Sequence, residues 1–349
     1  MRPLRVVLTG ATGFIGSAVL RELAAHRTGE DAGPGERLVV RAVGRRRPEG
    51  AGPADEWVRA DIAQPRSLRG VCEGADVLLH MAAVISPDES ECAAVNVEGT
   101  AALMREAARD GVSRVVHLST AAVYGPGPHR GIGVNEVVPA PVSPASRTRL
   151  AGETHALAAG ATVLRPGLVL GRGDRWVVPL LAQCLRAVPT LWDGGRGRVS
   201  AVAVDDLARL VARLALTPGR ADGHGGVRHA SHPRPVRVGD LLRTLARHDV
   251  LPAVTAELPW QECLERLRAA RIPVSERQFA LVATDHWYRS DEIWRIAGCD
   301  PGASVLERME DAAPWYRSVV GAGTRGGDGL GAYGSVEGAV EVDPGEGLA

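Results

Sequence analysis

Lysine is absent from this 349-residue chain: all 41 of its basic residues are arginine. They are balanced by 41 acidic residues, so the net charge is +0. No excess of one sign points to nucleic acid, to an anionic membrane surface or to a strongly charged partner. The five cysteines (Cys72, Cys92, Cys184, Cys263, Cys299) are an odd number, widely spaced and without a CxxC pair. That argues against a disulfide framework and a structural zinc site, and a reducing cytoplasm is expected. The opening MRPLR with VVLTGATGFIGSAVL has the outline of an export signal, but three glycines at three-residue spacing fit a loop better. No other run approaches the ~18 apolar residues that span a bilayer. No internal repeat is evident. The last gap is local: no tyrosine lies between residues 125 and 287.

Short β-branched runs alternate with helical patterns in the first half: LRVVLT, IGSAVLRELAAH, LVVRAV, ADVLLH, AAVNVEGTAALMREAARDG and SRVVHLST. This alternation predicts an α/β fold with a doubly wound parallel Rossmann sheet. Gly111 reads as a helix stop, and residues 27–36 as a surface loop. After Arg165 the pattern loosens, and six of the seven tryptophans follow. The expected division is a dinucleotide-binding domain over 1–165, rejoined by 198–217, and a smaller mixed α/β substrate domain over 166–318. The tail, 319–349, is glycine-rich and is expected to be disordered.

TGATGFIG, residues 9–16, follows a predicted strand and opens a helix, the context a dinucleotide loop requires. Gly10 permits the turn, Gly13 lets the backbone approach a pyrophosphate, and Gly16 allows close helix–strand packing. Thr12, Phe14 and Ile15 complete the loop, and the helix N-terminus offers N–H groups to phosphate. At the end of the second strand AVGRRR carries no carboxylate for a ribose 2′-hydroxyl, while Arg45 and Arg46, with Arg47, can surround a 2′-phosphate. This favours NADP(H) over NAD(H), against a solvated arginine cluster as the plainer reading.

These motifs, with ADI around Asp61 and Ile62, HMAA including Met81, Ala82 and Ala83, NVEGT, STAAVYG, LRPGLVLG and VAVDDLARLV, resemble the extended short-chain dehydrogenase/reductase family. The resemblance spans roughly residues 4 to 318. It implies that Asp61 faces the adenine, that Leu118, Ser119 and Thr120 end a strand beside the nicotinamide, that Thr120, Ser119 and Arg149 are the catalytic candidates, and that Thr120 offers a hydroxyl to the reacting carbonyl. It also implies that Pro166 and Leu168 bind the cofactor, that Asn96 is mainly structural, that Tyr124 packs, and that Asp205 and Asp206 fix a helix start.

The family's catalytic stretch is similar to YxxxK followed by LAGE. LAGE at 150–153 sets the register, so Ala145 stands at the tyrosine position and Arg149 at the lysine position. An alanine cannot give a proton to a carbonyl oxygen. Arg149 keeps the positive charge and can still hold ribose hydroxyls, though with different geometry. General acid catalysis contributes about 10²- to 10⁴-fold, and positioning a hydride donor contributes as much or more. A substrate whose ketone is already hydrogen-bonded to a neighbouring hydroxyl can stabilise its own alkoxide. The sequence resembles in this the atypical ketoreductases of aromatic polyketide pathways, the angucyclinone ketoreductases among them, which lack the tyrosine.

Leu168 replaces an asparagine of sugar-nucleotide enzymes, and Ala121 and Ala122 replace the Asp-Glu pair of sugar dehydratases, so an apolar substrate is expected. Trp176, Trp192, Phe279 and Trp287 are candidates for lining its pocket, or for ordinary core. Arg198 aligns loosely with a phosphosugar-binding arginine. His224, His229 and His232 lack a ligand pattern, and no metal is expected. The leading expectation is an NADPH-dependent ketoreductase for a large aromatic or apolar ketone of polyketide, antibiotic-biosynthetic type, with a homodimer left open. The alternatives are a catalytically silent NADP(H)-binding protein and, more weakly, a sugar-nucleotide epimerase.

Overall fold

The computed structural model describes residues 2–28, 37–47, 53–217, 225–254 and 256–322. Most of the expected surface loop at 27–36, His224 and nearly all of the glycine-rich tail lie outside the described residues. The first half alternates as the sequence predicts: β1 (Leu4–Thr9), α1 (Phe14–Thr28), β2 (Leu38–Gly44), β3 (Glu56–Arg59), β4 (Val77–His80), α2 (Glu89–Ala93), α3 (Thr100–Arg109) and β5 (Arg114–Leu118). They are followed by β6 (His129–Ile132), α4 (Pro144–Ala158), β7 (Thr162–Arg165), β8 (Leu168–Leu170), α5 (Val177–Ala187) and α6 (Val204–Leu216).

The main sheet has seven strands, all parallel, ordered from the strand Gly226–His229 through β7, β5, β4, β1 and β2 to β3. Its inner strands read as continuous apolar runs because both faces are covered. Val6 and Leu8 of β1 join the core under α1 and α6, whereas Val7 joins the core under α3. Gly226–His229 pairs with β7 and so joins the main sheet from beyond the segment 198–217, which gives that sheet no strand but supplies α6, packed in the core with α1. The half-exposed edge strand β3 has no counterpart in the sequence reading, being too short to show a period.

The later residues build a smaller mixed part. A four-stranded sheet orders Val236–Arg237, Arg198–Val199, His286–Tyr288 and β6, with parallel and antiparallel pairs. A separate apolar core gathers Leu181, Trp192, Leu242, Phe279 and Tyr316. Asp174 starts α5, accepting from the N–H groups of Trp176, Val177 and Val178 at 2.8, 2.9 and 3.1 Å. The helix start of α6 works differently from expectation: its cap is Ala203, with no side-chain hydrogen bond. Asp206 instead pairs with Arg209 and Arg308, tying α6 to the helix Val305–Ala322.

Two contacts fix α4. Between α2 and α3 the helix passes through one π turn, Ala94–Gly99. A Cβ at Gly152 would fall 2.1 Å from the Asn96 carbonyl oxygen, so α4 packs backbone to backbone on that turn. On the next residue, Glu153 accepts from Arg165 Nε at 2.9 Å and Nη2 at 2.5 Å. The side chains of the pair are only 5% and 2% exposed. Arg165 also donates to the Tyr124 hydroxyl at 2.9 Å, which bonds His229 Nε2 at 2.8 Å.

Removing one member of a buried ion pair leaves the other without its counter-charge. Glu153→Gln is therefore expected to destabilise the fold by about 3–5 kcal/mol, read as a lower denaturant midpoint. A double replacement by apolar residues should cost less. Burial also lowers the pKa of His80 and of His229 from 6.5 to about 4, with Arg149 adding to the effect at His80 and Arg165 and Arg289 at His229. In the unfolded chain both protonate near pH 6.5; in the folded protein they stay neutral down to about pH 4. Their stability contribution is thus complete above pH 6.5 and is lost as pH falls from there towards 4, by about 3 kcal/mol each. Urea denaturation between pH 7.5 and pH 4.5 measures it, and a flat profile would contradict it.

Candidate active site

In a parallel sheet every strand ends on the same edge, and here the order reverses beside β1, which lies between β2 and β4. Ligands of such sheets bind at that reversal, outside the carboxyl ends. The fold brings to this edge Gly10–Gly16 after β1, Arg45 and Arg46 after β2, Asp61 and Ile62 after β3, Met81–Ala83 after β4, Ser119 and Thr120 after Leu118 of β5, and Pro166 after β7.

The glycines of the first loop are required by contact. Gly10 has φ +72, and a Cβ there would lie 2.7 Å from the Ala82 nitrogen. A Cβ at Gly16 would lie 2.0 Å from the Gly10 carbonyl oxygen, the oxygen that accepts the Gly13 N–H at 2.9 Å. Thr12 and Gly13 are exposed, Phe14 and Ile15 half-buried. The first turn of α1 has no acidic side chain, so its partial positive charge is uncompensated. This open backbone cradle fits the pyrophosphate of a dinucleotide. Gly44 packs against the Trp57 indole, at 3.0 Å for an added Cβ, and presents no carboxylate. Arg45, Arg46 and Arg47 are exposed and form no ion pair with another described residue. Asp61 is half-buried and accepts from Ala63 N–H at 3.1 Å, while Ile62 closes on Gly99.

Ser143 caps α4 in a reciprocal box with Ser146, and Pro144 occupies the first turn. These set Ala145 just inside the helix, 9% exposed, and Arg149 one turn further on. Arg149 Nη2 donates to the carbonyl oxygens of Leu118 and Ser119 at 3.1 and 2.6 Å, and its Nε has no partner among the described residues. Burial lowers its pKa to about 10, which leaves a cation at neutral pH. The guanidinium thus anchors the end of β5, a contact the sequence did not disclose. Thr120 is half-buried; its hydroxyl oxygen accepts from Ala122 N–H at 3.1 Å, which leaves its own proton for a ligand.

Ser119 departs from expectation. It is fully buried and its hydroxyl donates to Glu153, because alternation along the strand end turns it inward while Thr120 turns out. Below the edge, His80 bonds Thr9 Oγ1 at 2.8 Å and Thr100 Oγ1 at 3.0 Å, joining β1, β4 and α3. Burial holds the adjacent His117 neutral, well below its usual pKa. Asn96 holds the loop after β4 through Val84, accepting its N–H and donating to its carbonyl, both at 2.9 Å, and donates to Thr148 at 3.0 Å. Sequence reasoning missed His80, Glu153 and Arg165; their motifs HMAA, LAGE and LRPG were legible, their mutual contacts were not.

Trp192 and Phe279 do not line a pocket. Both are fully buried, edge to face at 4.6 Å, in the second core. Trp176 is 43% exposed, with its ring 6.1 Å from Phe14 of the dinucleotide loop. Pro166 is buried, its carbonyl accepting Ala121 N–H at 2.8 Å, and Leu168 is half-buried against the second core. His229 is held by Tyr124 and the Arg289 carbonyl oxygen, and His232 by Arg234 N–H. Arg198 faces outward and Val199 inward, so the loosely aligned arginine is turned away from the interior.

Residues 6–227 match the NAD dependent epimerase/dehydratase family. A 2-alkyl-3-oxoalkanoate reductase of Stenotrophomonas maltophilia is 28% identical over 88% of this chain and 97% of its own. A 4-hydroxy-2-methyl-3-oxo-4-farnesyl-3,4-dihydroquinoline-1-oxide ketoreductase of Stigmatella aurantiaca is 28% identical over 74% of this chain and 77% of its own. Among solved structures, MoeE5 in complex with UDP-glucuronic acid and NAD superposes with TM-score 0.66 at 24% identity, over 90% of this chain and 99% of the other. UDP-glucuronic acid 4-epimerase from Bacillus cereus in complex with NAD does so with TM-score 0.68 at 19% identity, over 90% and 99%. At these identities the structures show a shared fold. The protein is an enzyme of the NAD(P)-dependent oxidoreductase type and belongs to the NAD-dependent epimerase/dehydratase family.

Proposed function

We propose that the protein is an NADPH-dependent ketoreductase that reduces a ketone of a large aromatic, angucyclinone-like polyketide to the alcohol without a tyrosine acid. The observation that carries this reading is Ala145, in the first turn of α4 at the register of the family's tyrosine, together with a Thr120 hydroxyl at the strand ends whose proton is unassigned. A nicotinamide dinucleotide held on the Gly10–Gly16 loop would supply the hydride. Thr120 donates a hydrogen bond to the carbonyl oxygen, and the Arg149 cation at the end of β5 favours the negative charge developing there. The remaining proton comes from water or from a hydroxyl neighbouring the ketone on the substrate itself. Both reductase relatives are named for substrates with a ketone and an apolar chain, alkyl in one and farnesyl in the other, and the Stigmatella substrate carries a hydroxyl at the position next to its ketone.

Gly44 and the exposed Arg45 and Arg46 support NADP(H) over NAD(H). One observation favours a second reading: the same Ala145 suits a protein that binds NADP(H) and performs no chemistry. NADPH consumption with a panel of aromatic hydroxyketones separates the two, since binding without turnover of any of them supports the silent protein.

Two further outcomes are expected. Ala145→Tyr should change turnover of such ketones by less than about tenfold, and a gain of about a hundredfold would show that a general acid had merely been lost. By calorimetric titration NADPH should bind more tightly than NADH, and Arg45→Ala with Arg46→Ala should weaken NADPH by roughly tenfold or more while sparing NADH. Equal dissociation constants in the wild type would refute the cofactor assignment.

A further inference from the structure

An arginine at a lysine's position brings in a donor that lysine lacks. Lysine carries its N–H groups at the tip of an apolar stem, whereas arginine has a further donor, Nε–H, below the tip. Arg149 places Nη2 on the carbonyl oxygens of Leu118 and Ser119, which leaves its Nε shut off from solvent and without a partner among the described residues. A buried donor left unpaired costs free energy, so an acceptor is needed within reach.

Most polar side chains in this layer are committed. His80 has Thr9 and Thr100 on its two ring nitrogens. Thr148 donates to the Pro144 carbonyl oxygen and accepts from Asn96. Ser119 donates to Glu153, which also accepts from Arg165 Nε and Nη2. His117 is the exception: it is 4% exposed, and neither ring nitrogen has a partner among the described residues. It shares a face of β5 with Val115, which packs with Ala156 of α4, and with Ser119, which reaches Glu153 of α4. Its register partner on β4 is His80, with the two rings 5.0 Å apart. Burial keeps both imidazoles below their usual pKa, with His80 adding to this at His117 and the Arg149 charge adding at both. The guanidinium and the two rings therefore share one space between the sheet and α4.

We propose that His117 is a positioning residue of the active edge, whose unprotonated ring nitrogen takes the Arg149 Nε–H, directly or through a single water, and so fixes the guanidinium on the end of β5. A neutral imidazole suits this task because it offers one acceptor nitrogen. Its low basicity keeps it from taking up a proton and repelling the cation it holds. The catalytic part of the inference rests on the ketoreductase reading, in which the Arg149 cation favours the developing alkoxide.

The test compares His117→Phe, which keeps the ring stacked on His80 and removes the acceptor, with His117→Gln, whose amide oxygen restores one. In ¹⁵N-edited spectra of the full chain with NADP+, the Arg149 Nε–H proton is identified by its loss in Arg149→Lys. It should lie downfield of the exposed arginines, move upfield in His117→Phe and return in His117→Gln. For an aromatic hydroxyketone, kcat should fall roughly tenfold in His117→Phe, with KM and NADPH affinity held within about twofold, and recover in His117→Gln. In an Arg149→Lys background, which has no donor at that depth, His117→Phe should leave kcat unchanged. An Arg149 Nε–H signal that does not respond to His117→Phe would overturn the proposal, as would an equal loss of kcat in both backgrounds. If no ketone is turned over at all, the ketoreductase reading fails, and the spectra still decide whether His117 holds Arg149.

Discussion

Two opposite charges, on Glu153 and Arg165, lie almost without solvent between α4 and the end of β7. Such a pair tolerates little displacement, because any separation leaves two desolvated charges. Gly152 adds a steric limit from the neighbouring position, since no side chain fits between α4 and the π turn. Helical phase carries this constraint back along α4. With Glu153 fixed, Arg149 one turn earlier must reach the carbonyl oxygens ending β5, and Ala145 another turn earlier must face the same edge. The active edge therefore inherits its geometry from a contact that touches no ligand.

The electrostatics of that edge are simple. His80 and His117 are neutral through burial, the charge of Glu153 is matched by Arg165, and Ser119 is committed to Glu153. Arg149, unlike the exposed Arg45 and Arg46, is a desolvated cation, and among the described residues it is held on carbonyl dipoles in place of a carboxylate. In the proposed reduction this arrangement favours alkoxide over ketone without proton transfer from the protein, and it leaves the proton to water or to the substrate.

Much of the fold was legible because it is written in short-range pattern. The apolar runs of β1, β2, β4 and β5, the glycine spacing and the LAGE register each depend on neighbours within about ten residues. The losses have a common physical source, which is that facing is set by partners far away in the chain. Trp192 and Phe279 look alike as pocket walls and as core, and the contact between them decided for core. Ser119 and Thr120, or Arg198 and Val199, differ by one position, and one position in an extended chain is a change of side. Gly226–His229 is a four-residue strand whose assignment rests on β7, some sixty residues earlier.

The π turn at Ala94–Gly99 is an extra residue accommodated inside a helix. Deleting one residue there would restore regular winding by rotating the preceding turn through about 100°. Glu89 would swing away from Arg147, and the loop bearing exposed Ile85 would be re-aimed at the rim of the strand ends. Asn96 itself grips Val84 from within the bulge. Small changes of chain length at this point are therefore a means of reshaping the mouth of the site while the dinucleotide loop, built on other strands, stays as it is.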